Sequence, residues 1–286
     1  IIGDHIRSST INSQISPKQP RVNQPTTQAG AKGLMQINQC GPRLDFDIKK
    51  EGATPLFIAC QEGHTDAVAL LVQKNGININ LQRHCDGLTP LHFACQNSHK
   101  SVLKLLLDQM ELDVNQPSNN GITPFWQACQ SGKINILKLL LKTERIDVNQ
   151  PSNDGITPLW VACEKGHSAV VKLLLLRNAD VNEPMNDGCT PLYVACEKDH
   201  ADIVDIILKV KNIDVNQSLS NGTSPLWIAC LFGHTSVVKL LLTVNGLDVN
   251  KKCQERNKKR TPLDIARHGK HQEIVELLLS SGLSAK

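Results

Sequence analysis

An all-α solenoid, made by stacking short helix–turn–helix units, is the fold class this sequence predicts, and three observations predict it. The pair Thr-Pro, once Ser-Pro, recurs at Thr54-Pro55, Thr89-Pro90, Thr123-Pro124, Thr157-Pro158, Thr190-Pro191, Ser224-Pro225 and Thr261-Pro262, at spacings of 35, 34, 34, 33, 34 and 37. Each pair opens the same order of segments, seen in residues 153–182 as NDGITPLWVACEKGHSAVVKLLLLRNADVN. A unit of about thirty residues holds two helices and a turn and cannot bury its own apolar face, so its copies must stack. Finally, hydrophobic content is an ordinary 40% while aromatics are only 3%, which leaves Leu, Ile, Val and Ala to build the core.

Taken in order, residues 1–43 are polar and rich in Gln, Ser, Thr and Pro, with Pro17, Pro20, Pro25 and Pro42 interrupting any helix. They read as a disordered leader, except for a short helix over residues 29–38. The string GLMQI at residues 33–37 resembles a motif of lytic transglycosylases, but that family needs an upstream catalytic Glu and none precedes Glu51. Residues 44–48, LDFDI, read as a repeat tail, so the array is expected over residues 44–286. Its repeats fall at about 49–83, 84–117, 118–151, 152–184, 185–218, 219–255 and 256–286.

In each copy a hydroxyl residue caps the first helix, and Pro follows at the position where a missing N–H costs nothing. In the central copy this helix runs through Leu159, Val161, Ala162 and Cys163 and stops near Gly166, where a left-handed conformation is cheap. His167 opens the second segment, whose Val170, Val171, Leu173, Leu174 and Leu175 form an apolar stripe with Lys172 facing out. Asn178 to Asn182, then Asn186, Asp187 and Gly188, turn the chain into the next copy.

These elements make the chain resemble the ankyrin repeat family. The matching residues of the central copy are Gly155, Thr157, Pro158, Leu159, Ala162, Cys163, Gly166, His167, Val170 to Leu175, and Asp180-Val181-Asn182, and the match recurs seven times. The resemblance implies paired antiparallel helices with projecting β-turn fingers, stacked into a curved solenoid. Departures are local: Ser98, Asp199 and Lys270 replace the Gly between helices, and Lys133 replaces the His. The last finger, KKCQERNKKR at residues 251–260, is about three residues longer than the others.

Composition excludes several classes. A formal charge of +4 without a long basic stripe speaks against nucleic-acid binding. There is no run of eighteen apolar residues and no basic-then-apolar start, so neither a membrane span nor a secretion signal is expected. The chain begins at Ile1 instead of Met, which leaves room for an upstream segment.

Three patterns tempt a chemical reading. Cys60/His64, Cys95/His99, Cys163/His167, Cys196/His200 and Cys230/His234 have the i, i+4 spacing of metal ligands on one helix. A helix stop falls inside each pair, so the reading is a small buried Cys and a His that opens the next helix. No third group recurs to orient a Cys–His nucleophile. Nor should the six in-phase Cys form disulfides, because stacked helices lie roughly 8–10 Å apart and a bridge needs α-carbons within about 7 Å. Free thiols point to a reducing compartment. The position after Thr-Pro-Leu holds Phe57, His92, Trp126, Trp160, Tyr193 and Trp227. Such a row suits a recognition stripe, but its strict period favours packing between copies.

The expected function is therefore a non-enzymatic, monomeric scaffold that binds one or more partner proteins, with no catalytic residue, metal, cofactor, membrane or small-molecule substrate assigned. By the resemblance, contacts come from the finger tips and from the ends of the first helices on the concave side. These are Asn119, Asn120, Asn153, Asp154, Ile156, Asn186 and Asp187, and Gln130, Glu164, Lys165, Glu197, Lys198, Leu231 and Phe232. The Leu231-Phe232 pair breaks a polar row and is the candidate hot spot. The resemblance also implies that Asn115, Asn149, Asn182, Asn216 and Asn250 are possible sites of asparaginyl hydroxylation. Two alternatives stand beside this reading: a target-recruiting module of a larger enzyme or effector, and a nuclear regulator. The expected location is cytoplasmic, or nuclear if the basic finger with Lys251, Lys252, Lys258, Lys259 and Arg260 acts as an import signal.

Overall fold

Among the described residues, burial of two apolar stripes per repeat gives seven successive helix pairs. The computed structural model describes residues 54–255 and 258–283, so the leader, its short helix, the GLMQI string and the tail at residues 44–48 lie outside the described residues. The pairs are α1 Pro55–Glu62 and α2 Thr65–Val72; α3 Pro90–Gln96 and α4 Lys100–Leu107; α5 Pro124–Gln130 and α6 Ile134–Leu140; α7 Pro158–Glu164 and α8 Ser168–Leu175. They continue as α9 Pro191–Glu197 and α10 Ala201–Leu208, α11 Pro225–Phe232 and α12 Thr235–Leu241, and α13 Pro262–His268 and α14 Gln272–Leu283. A two-stranded antiparallel hairpin, β1 Cys253–Glu255 and β2 Lys258–Arg260, precedes the last pair.

Each inner helix starts as its chemistry dictates. The hydroxyl of Thr123, Thr157, Thr190 or Ser224 accepts the amide of the residue three positions on, at 3.0 to 3.2 Å, and Pro occupies the first turn. Inner helices pack on inner helices and outer on outer, one repeat to the next. Small side chains permit this: Leu159, Trp160, Val161, Ala162 and Cys163 of α7 are all buried. The outer helices bury one stripe each, such as Val170, Val171 and Leu174, and leave Lys172 exposed.

The stops between helices are left-handed in every repeat that has the predicted residue. Gly63, Gly132, Gly166 and Gly233 have φ between 66° and 77°, and Ser98, Asp199 and Lys270 hold the same region at 63°, 58° and 59° despite carrying a Cβ. Glycine also leaves room for a neighbour at these stops. A Cβ on Gly63, Gly166 or Gly233 would stand within 3 Å of the ring of His99, His200 or His271 from the following repeat.

Candidate functional site

The residues expected to meet a partner lie in two rows, the fingers and the C-terminal ends of the inner helices. Most of what recurs along it holds the stack together. His99, His167, His200, His234 and His271 place Nε2 at 2.9 to 3.2 Å from the carbonyls of Gln61, Gln130, Glu164, Glu197 and Leu231. A carbonyl only accepts, so Nε2 carries the proton, and each His satisfies an orphan carbonyl at the end of the previous inner helix. Where the ring is missing, Lys133 reaches the Gln96 carbonyl and also donates to Ser98 Oγ at 3.0 Å.

The cysteines half of each Cys/His pair faces elsewhere. Cys60, Cys95, Cys129, Cys163, Cys196 and Cys230 form a buried column of free thiols. Burial pushes Cys60, Cys95 and Cys230 up to about 12, and raises Cys129, Cys163 and Cys196 well above the ordinary thiol range. Such thiols are poor nucleophiles. Among the described residues no group of three or more His, Cys, Asp or Glu is placed to hold a metal ion, and no helix is long and apolar enough to cross a membrane.

The aromatic row is core. Phe57, His92, Trp126, Trp160, Tyr193 and Trp227 are all 4% exposed or less. Trp126 and Trp160 donate Nε1–H to the carbonyls of Ile156 and Cys189 in the next repeat, at 2.7 and 3.0 Å. His92 reproduces that donor, with Nε2 2.9 Å from the Ile122 carbonyl. Ile156 therefore departs from the expected contact row: its side chain is 6% exposed and its carbonyl is occupied.

The finger tips form a ladder. The backbone N–H of Asn119, Asn153, Asn186 and Gln254 donates to the carbonyl of Asp86, Asn120, Asp154 and Asn221 of the preceding finger. The side chains of Asn153 and Asn186 add a second bond to the carbonyls of Asn119 and Asn153. Asn119, Asn153 and Asn186 remain exposed, with Asn120, Asp154 and Asp187 half-buried. Burial raises the Asp187 carboxyl, against the amide of Cys189 that it accepts.

The helix ends carry the chemistry that differs between repeats. Gln130 is half-buried. Lys165 and Lys198 lie over Glu164 and Glu197 at 3.3 and 3.5 Å, ion pairs within one helix end. Leu231 is half-buried, and Phe232 is 46% exposed with its ring stacked on His234 at 5.7 Å between centroids.

A third row was only partly visible in the sequence. Asn115, Asn182 and Asn216 donate Nδ2–H to a loop carbonyl of the next repeat (Arg145, Asn212, Gly246), and their Oδ1 accepts the amide of Asp147, Asp214 or Asp248. Asn149 accepts from the Asp180 amide, and Asn250 is exposed with its amide on Asp248 Oδ1. Asn80 makes the same pair of bonds, to Glu111 and from Asp113. It lacks the Asp-Val-Asn signature because Asn78 stands where the others have Asp, and only the period could have found it.

The fold, the capped inner helices and the finger ladder define a stack of helix–turn–helix repeats, and sequence comparison agrees. The chain belongs to the ankyrin repeat family: the family described as Ankyrin repeats (3 copies) matches residues 28–118, 75–152, 125–218 and 208–286. Ankyrin repeat domains serve as protein-interaction modules and are generally non-catalytic. Among solved structures, the ankyrin repeat domain of Bcl-3, described as a unique member of the IkappaB protein family, is similar at 29% identity and TM-score 0.68. That similarity covers 80% of this chain and 99% of that one. The human ASB11 ankyrin repeat domain is similar at 26% identity and TM-score 0.63, covering 79% of this chain and 98% of its own. A search of curated protein sequences gives no match.

Proposed function

We propose that this chain is a non-enzymatic scaffold that captures a partner protein on the face lined by its finger tips and inner-helix ends, with Phe232 as the anchor. The observation that carries this reading is the exposed Phe232 ring. At the same position the other repeats place Glu62, Asn97, Ser131, Lys165, Lys198 and Gly269, all polar or without a side chain. A large aromatic side chain half in water, with Leu231 beside it and a His ring beneath, is the composition of a binding anchor. The pre-formed stack loses little entropy on binding, and the buried column of free thiols from Cys60 to Cys230 fits work in a reducing compartment such as the cytoplasm. Asn119, Asn120, Asn153, Asp154, Asn186, Asp187, Lys165 and Lys198 supply the polar rim.

The test is affinity capture with the native chain and with Leu231→Ser/Phe232→Ser, both checked for equal helical circular dichroism. Loss of a buried anchor of this kind is worth about 2 kcal/mol or more, roughly a thirtyfold drop in affinity. At least one specific partner should be lost. Retention of every specific partner by the double variant would show that the anchor lies elsewhere.

A further inference from the structure

The finger ladder ends in an edge unlike any of its rungs. The fingers bearing Asp86, Asn120, Asp154 and Asn221 each receive a backbone N–H from the next one, but the last finger is a hairpin, and only its first strand faces back: Gln254 N–H donates to the Asn221 carbonyl at 2.7 Å. Gln254 pairs across the hairpin with Lys259. A strand residue directs its N–H and C=O to one side, so with Gln254 turned to the preceding finger this is a non-hydrogen-bonded pair, and the Lys259 N–H and C=O point away from β1. Among the described residues no backbone–backbone bond reaches the Lys259 N–H or C=O.

Charge gathers at the same place. Residues 251–260 hold six cationic side chains and one acidic one, a net +5 within a chain whose total is +4. Lys252, Lys258 and Lys259 are exposed. Lysines along a strand edge repel a second copy of the same edge, which leaves an acidic strand as the complementary occupant. A nucleic acid would satisfy the charges but has no use for the outward main-chain donor and acceptor of Lys259.

We propose that β2 is a docking edge for an extended acidic segment of a partner protein, which adds as a third strand beside Lys258 and Lys259. This rests on reading the stack as a protein-binding module but uses a different surface from Phe232. The test is fluorescence anisotropy of a fluorescein-labelled peptide of alternating Glu and Thr with the full chain. Binding should weaken at least tenfold in Lys258→Glu/Lys259→Glu, and to a similar degree when alternate peptide nitrogens are methylated, while Leu231→Ser/Phe232→Ser leaves it unchanged. Absence of binding overturns the proposal, as does equal affinity for the charge-reversed variant or for the methylated peptide. Tighter binding of an oligothymidylate of equal charge overturns it in favour of a nucleic acid. Peptide binding that survives in the Leu231/Phe232 variant, alongside unaltered partner capture, would sink the Phe232 anchor and leave this edge standing.

Discussion

Protonating His92 means displacing Thr89. The ring is fully buried, its Nδ1 accepts the Thr89 amide at 3.0 Å, and its Nε2–H is given to the Ile122 carbonyl. Burial lowers its pKa from the ordinary 6.5 to about 4, against the weaker opposing pull of the Ile122 carbonyl and Asp86. Between those values the unfolded chain binds the proton and the folded chain does not. The His92 contribution is thus complete above about pH 6.5 and is lost as pH falls toward 4, by about 3 kcal/mol at 1.36 kcal/mol per unit. Urea unfolding of native and His92→Gln chains should give stability curves that converge with acidification over this window; parallel curves would show that His92 does not titrate there. The same scale shows what a residue-by-residue reading overlooks. Ser98 for Gly and Lys133 for His look like two independent departures in the sequence, the first costing up to about a kcal/mol. They act together: Lys133 reaches the Gln96 carbonyl that a His would cap and also donates to the Ser98 hydroxyl.

At the scale of elements, three junctions between inner helices, those of His92, Trp126 and Trp160, carry a bond that the Trp227 junction lacks. Trp126 and Trp160 each donate to the next finger, whereas Trp227 Nε1 is buried with no acceptor. The residue in register with Ile156 and Cys189 is Arg260, which here belongs to β2 of the longer last finger. Burying an unpaired N–H costs about 1–3 kcal/mol, and breaking a made bond leaves its carbonyl orphaned. Trp126→Phe and Trp160→Phe should therefore each lower stability by about 1–2 kcal/mol more than Trp227→Phe, read from urea midpoints at constant slope. Equal losses at the three positions would mean the indole bonds contribute nothing net. The period predicted that this row is packing, and it also put Thr or Ser at every cap. Which helix end meets which carbonyl was beyond it, because the His bonds join residues 36 to 40 apart in sequence.

For the whole molecule, a repeat that touches only its neighbours opens from the ends inward. The thiol column reports this directly. Cys85 is the exposed cysteine among the described residues, while Cys60, Cys95, Cys129, Cys163, Cys196 and Cys230 are at most 1% exposed. With iodoacetamide under native conditions Cys85 should label at once, Cys60 next, and Cys129 and Cys163 last, followed peptide by peptide by mass spectrometry. A single common rate for the six would point instead to all-or-none opening of the stack.

The sequence by itself determined the repeat, its seven copies, the caps, the left-handed stops and the packing role of the aromatic and Cys rows, because each follows from local chemistry repeated in phase. Tertiary structure alone decided which surface residues remain for a partner. Ile156 left the contact row because it is buried and its carbonyl takes its neighbour's indole N–H, and Asn153 and Asn186 proved to bond the previous finger as well as face solvent. The physical reason is that exposure is a property of the junction between repeats, and the sequence of one repeat does not contain its neighbour.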